Sequence, residues 1–96
     1  MVTTESSKSN ALQMAKLLIK NKLAACVSIK QIFSTYKWDD DIEETKEYEI
    51  TIKSKLEFRD YLIEFLKKNS TYDIPQIIYE KYHAEEKYYD WLNQTI

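Results

Sequence analysis

Glycine is absent from these 96 residues, and proline, cysteine and histidine occur once each, at Pro75, Cys26 and His83. Without glycine, no loop can cradle a phosphate in the Gly-rich manner, and every turn falls to residues that reach left-handed backbone angles at a cost. Asn and Asp are the expected turn formers. The lone cysteine has no internal disulfide partner, which fits a reducing compartment such as the cytoplasm. One thiol and one imidazole cannot close a structural metal site within a chain, and no nucleophile-and-base motif surrounds either, so no catalytic residue is identified. No apolar run approaches the roughly 20 residues needed to cross a bilayer. No signal-peptide pattern opens the chain, so a membrane is not an expected partner. The 14 basic and 16 acidic side chains leave a formal net charge of −2, which is no footprint for a phosphate backbone. An RNP-type aromatic motif is missing as well, and nucleic acid is not an expected partner.

What remains is one domain, 1–96, of mixed pattern. "MVTT" is a short strand, and "TTESSKSN" is polar enough for the loop after it. Ala11, Leu12, Ala15, Leu18 and Ile19 recur at helical spacing over residues 9–22, with Ser9 or Asn10 as cap. "AACVSIKQIFSTYKW" alternates through Ala25, Val27 and Ile29, then changes parity to Ile32, Ser34, Tyr36 and Trp38, which predicts a bulge near Lys30 and Gln31. "DIEETKEYEITIK" supplies the antiparallel neighbour. Ser54 and Glu57 have the spacing of a capping box for a second helix, whose buried stripe is Phe58, Tyr61, Leu62, Phe65 and Leu66. After "TYDIPQ" breaks the chain at Pro75, a strand "IIYEKYH" and a short helix with Tyr88, Trp91 and Leu92 complete the order β-α-β-β-α-β-α. That order predicts an α+β sandwich with helices on one face of a mainly antiparallel sheet.

The hairpin has a length problem. Tyr36, Trp38, Ile42, Tyr48, Ile50 and Ile52 share one parity in two long strands joined near Asp39, Asp40 and Asp41. At about 3.3 Å per residue, the stretch from Ala24 to Trp38 spans roughly 50 Å, against a radius of gyration near 13 Å for a chain of this size. A projecting aromatic hairpin is marginal in water and leaves a sticky edge, so pairing with further copies in a closed homo-oligomer is expected.

"KLAACVSI" (Lys22 to Ile29), Tyr36, Trp38, Ile42 with Glu43, Glu47, Ile52 with Lys53, "YDIP" (Tyr72 to Pro75), Tyr88, and Trp91 with Leu92 run in order over nearly the whole chain. This set resembles the CutA divalent-cation tolerance family. The resemblance implies a ferredoxin-like βαββαβ sandwich with an extra C-terminal helix, a homotrimer related in architecture to the PII signalling proteins, and a role in tolerance of divalent metal ions such as copper. It also implies a ligand-binding cleft between subunits, for which Trp38, Glu47, Lys53, Tyr72 and Trp91 are the candidates. Several positions depart from the family pattern. Ser70 and Thr71 stand where a histidine and a proline are usual, Gln76 replaces a glutamate, and Asp40 and Ala84 replace glycines.

Cys26 and His83 are the only soft or imidazole ligands, and with a carboxylate such as Glu43 they form the candidate set for copper or another divalent metal. The competing reading makes Cys26 a small core residue and His83 a surface or interface residue. Asp39, Asp40, Asp41 and Glu43 lack the calcium-loop spacing and read as a solvated hairpin tip that attracts a hard cation weakly. Glu47 and Lys53, six apart in a strand, share a face about 20 Å apart and cannot pair within one straight strand.

Overall fold

The computed structural model describes residues 1–96. Its elements are β1 (Val2–Glu5), α1 (Lys8–Lys20), β2 (Cys26–Trp38), β3 (Asp41–Lys53), a 3₁₀ turn (Leu56–Phe58), α2 (Arg59–Asn69) and α3 (Glu86–Thr95). The strands form an antiparallel sheet in the order β1-β3-β2. Ala11, Met14 and Leu18 of α1, Leu62 and Leu66 of α2, Ala24, and Ile50 and Ile52 of β3 make one core. Fully burying side chains such as Leu18 and Leu66 contributes about 1.5–3 kcal/mol each. Only 13 of 96 residues are buried, so a thin core must hold a long molecule.

α1 starts at Lys8, one residue before the predicted span 9–22, and is capped ahead of Ser9 and Asn10. Ser7 is its cap, accepting from the Asn10 N–H at 3.1 Å, and the strand before it carries Thr3, Thr4 and Glu5 fully inside. The polar stretch read as a loop is therefore part strand, and its buried Glu5 is satisfied by Thr71 rather than by water. α1 ends in a Schellman motif, in which the Lys22 N–H donates to the Ile19 carbonyl and the Leu23 N–H to that of Leu18. That motif needs a left-handed residue, and Lys22 takes it with φ 56°. The turn residue is thus a lysine, not the neighbouring Asn21.

The capping box at Ser54 does not form. Its Oγ donates to the Leu23 carbonyl at 2.6 Å, tying the end of β3 to the α1–β2 turn, and α2 is entered through the 3₁₀ turn instead. Of the expected stripe, Leu62 and Leu66 are buried and Phe58 and Phe65 pack on the core, while Tyr61 is 72% exposed.

The hairpin is regular from end to end. Thirteen rungs run from Cys26–Lys53 to Trp38–Asp41 without interruption, so there is no bulge at Lys30 and Gln31. The change of parity is a change of face. Val27 and Ile29 lie with Ile50 and Ile52 toward the helices; Ile32, Ser34, Tyr36 and Trp38 lie on the other side with Glu47, Thr45, Glu43 and Asp41. The two-residue turn also puts Tyr36 and Trp38 on the face opposite Ile42 and Tyr48, although all four share sequence parity. The left-handed residue of that turn is Asp39, φ 55°, rather than Asp40.

The expected fourth strand shrinks to a bridge. Val2 and Ile78 exchange both backbone hydrogen bonds, at 2.8 and 3.1 Å. In that antiparallel register Tyr79 and the residues after it run past the start of β1 and find no rung, while Pro75 near the other end has no N–H to give. Ile78, Tyr79 and Tyr82 are 56%, 54% and 70% exposed.

Lys22 offers a direct test of the missing glycines. Left-handed strain of about 1–2 kcal/mol is relieved in Lys22→Gly, against about 0.4–1 kcal/mol of added freedom in the unfolded chain. Urea unfolding should show a net gain of about 0.5–1 kcal/mol; a loss would mean that the lysine side chain contributes more than its backbone costs.

Candidate functional site

The candidate site lies where β1 stops and β3 continues. β1 pairs with β3 from Val2–Thr51 to Glu5–Tyr48, and Glu47 is the first β3 residue beyond that pairing. Adjacent residues of a strand point to opposite faces, so Tyr48 sits toward the helices with Glu5, and Glu47 points to the other side. Both carboxylates are enclosed: Glu5 is 1% exposed and Glu47 9%. Burying a carboxylate demands compensating donors. They come from the turn after α2. Thr71 donates to Glu5 from its backbone N–H at 3.3 and 3.4 Å and from Oγ1 at 2.8 Å. The next residue, Tyr72, donates its phenol to Glu47 Oε2 at 2.8 Å. Ser70 steadies the turn by accepting from the Tyr72 N–H at 3.1 Å.

Burial, followed by the hydrogen bond to Glu47 and the charges of Glu47 and Glu5, pushes the Tyr72 phenol well above its ordinary value of 10.0. The phenol is therefore protonated at neutral pH and donates to Glu47. Glu47 keeps a second carboxylate oxygen on the face that also carries Tyr36 and Trp38. Beside it, the Oγ1 of Thr45 is buried with no hydrogen-bond partner.

Of the residues picked from the sequence for a cleft, only Glu47 and Tyr72 meet. Lys53 stands at the base of the ribbon, its Nζ 3.4 Å from Ser28 Oγ. Trp38 is at the tip, 53% exposed, and Trp91 leans on Tyr88 in α3 with ring centroids 5.5 Å apart. The metal candidates stay apart. Cys26 is half-buried opposite Lys53, on the face away from the helices, and so is not the core residue its apolar strand suggests. Glu43 is exposed near the tip, ten positions along the ribbon and about 33 Å from Cys26. His83 is exposed before α3. No group of three or more His, Cys, Asp or Glu side chains in one chain is placed to hold a metal ion. Asp39, Asp40, Asp41 and Glu43 are all exposed at or near the tip, as a solvated hairpin end requires. Sequence reasoning missed Glu5 and Thr71. A glutamate ending a four-residue strand carries no periodic signal, and its partner lies 66 residues away.

The model of CutA1, the divalent ion tolerance protein, matches residues 1–95. This chain belongs to the CutA1 divalent ion tolerance family. Over 91 residues it is 32% identical to the divalent-cation tolerance protein CutA of Pyrococcus horikoshii, covering 94% of this chain and 89% of that one. It is 33% identical over 94 residues to the chloroplastic CutA 1 of Oryza sativa subsp. japonica, covering 96% of this chain but only 53% of that longer one. The solved structure of the periplasmic divalent cation tolerance protein CutA from Archaeoglobus fulgidus superposes with a TM-score of 0.93 at 29% identity, over 98% of this chain and 93% of that one. The CutA fold is thus established here, and no helix of it is long and apolar enough to cross a membrane.

Tyr72 gives a pH prediction with a definite sign. Its raised folded-state value means that its contribution is fully present below the unfolded phenol's 10.0 and is lost as pH rises through the higher folded value. Tyr72→Phe should destabilise the protein by about 1–2 kcal/mol at neutral pH, leaving Glu47 short of a donor. The difference from wild type should hold steady up to the ordinary phenol range and shrink above it. Denaturant titrations across the alkaline range measure this, and a difference that grows with alkalinity would reverse the assignment.

Proposed function

We propose that the chain is a homotrimeric divalent-cation tolerance protein that binds metal ions such as copper, or a small ligand, in clefts between subunits. The observation that carries this reading is the enclosed Glu47–Tyr72 pair midway along a ribbon whose residues 35–44 are all exposed. The molecule measures 46 × 23 × 22 Å, and the ribbon sets the long axis. Phe33, Ile42, Trp38 and Tyr36 are 82%, 77%, 53% and 41% exposed along it. The outer edge of β2 offers thirteen residues of unpaired backbone, and residues 79–83 are another unpaired stretch. Such edges seek partners, and closure keeps the association from running on into fibres. The number three, and the kinship to PII proteins, come from the resemblance to the CutA family.

Assembly is also what the metal chemistry asks for. Cys26 and Glu43 are too far apart to share an ion within one chain, so they, with His83, can share one only across copies. A thiol and an imidazole suit copper, and Glu47 adds a carboxylate at the cleft. The chain acts by binding rather than catalysis, since its one thiol and one imidazole stand on separate segments. Its free thiol suits the reducing cytoplasm.

Two measurements test the reading. Sedimentation at micromolar concentration should find three chains of 11.5 kDa together; a folded single chain would remove the clefts. Copper titration by calorimetry should show stoichiometric binding, weakened in Cys26→Ser, His83→Ala or Glu47→Gln. Binding that is absent, or indifferent to all three substitutions, would make the protein a PII-like scaffold trimer with an indirect metal link.

A further inference from the structure

We propose that Thr71, held by the buried carboxylate of Glu5, is the positioning residue of the cleft: it fixes the Tyr72 phenol on Glu47 and so sets the direction of the free Glu47 oxygen. The proposal rests on the reading that Glu47 lines the ligand site. The geometry is that of a strap over a sheet edge. At the rung where β1 ends, Glu5 faces the helices and Glu47, one step further along β3, faces away. Residues 70–72 cross the edge exactly there, and consecutive side chains engage the two carboxylates on opposite faces.

Thr71 is exposed and its hydrogen bonds go to Glu5 on the helix side and to no residue of the Glu47 face, so its effect on a ligand passes through the backbone to Tyr72. Three of its contacts reach one carboxylate, more than any other residue of the turn makes. Glu5 is 1% exposed and cannot exchange these donors for water without opening the strap. With Thr71 pinned, the phenol is held on Glu47 Oε2 at 2.8 Å, and Oε1 is left to a ligand. Groups that orient a ligating side chain without touching the ligand commonly change affinity by an order of magnitude or more.

The test uses the assembled protein and copper(II) as probe, followed by calorimetry. Thr71→Val removes the 2.8 Å donation while keeping the shape and the backbone N–H; Thr71→Ser keeps the hydroxyl. Thr71→Val should weaken copper binding about tenfold, and Thr71→Ser should restore it. Tyr72→Phe should weaken binding in the wild-type background and add little on top of Thr71→Val, because the two changes break one arrangement. If Glu47→Gln weakens binding but Thr71→Val does not, the strap is structural only and the proposal fails while the cleft stands. Full additivity of Thr71→Val with Tyr72→Phe likewise overturns it. If Glu47→Gln leaves binding unchanged, the cleft reading falls and the proposal falls with it.

Discussion

The unbroken antiparallel ladder between β2 and β3 is the constraint on which the rest depends. Because a two-residue turn joins strands of equal length, every residue of one strand has a fixed opposite number in the other, and the register decides which face each side chain takes. Ile50 and Ile52 are thereby delivered to the helices, and Glu47, Tyr36 and Trp38 to the other side. A slip of one residue would exchange the two sets, removing the core and burying charges in its place. The core and the opposite face that carries Glu47 are therefore specified by a single choice of pairing, and neither can change without the other.

The thin core explains why so much of the chain is held by polar contacts. With eight buried side chains at its centre, the hydrophobic cluster anchors only the near half of the ribbon. The segment after α2 is fastened instead by Thr71 on Glu5, Tyr72 on Glu47 and the backbone pair Val2–Ile78. Hydrogen bonds to charged groups are worth roughly 1.5–3 kcal/mol each, comparable to a buried leucine, and unlike a leucine they fix direction. A segment fastened this way keeps its functional groups aimed even where apolar packing is sparse.

Periodicity made the helices and the long hairpin legible, because burial of one face imposes a repeat that survives in the sequence. Family resemblance supplied the fold and singled out Glu47 and Tyr72. What stayed hidden was pairing at a distance. Whether Tyr36 and Ile42 share a face depends on the length of the turn between them, which parity counting does not contain. Ser54 has the right spacing for a capping box, yet the carbonyl of Leu23 outbids the helix for its hydroxyl. The segment Ile77 to His83 has the apolar and aromatic residues of a strand, but β1 is too short to meet it. In each case a local pattern was sound and a long-range geometric fact overrode it.

Under the proposed function, those same unmet edges would tie binding to assembly. A ribbon exposed from residue 35 to residue 44 cannot be stabilised by its own core, so in isolation its far half would be held by little more than its own ladder. If neighbouring copies cover it, the surfaces that stabilise the ribbon are also the walls of the cleft beside Glu47. A ligand in such a cleft contacts the assembled form and not the separated chains, so by mass action it strengthens the assembly by as much as the assembly strengthens its binding. Ligand binding and assembly would then be two readings of one equilibrium, with the long hairpin as the element that couples them.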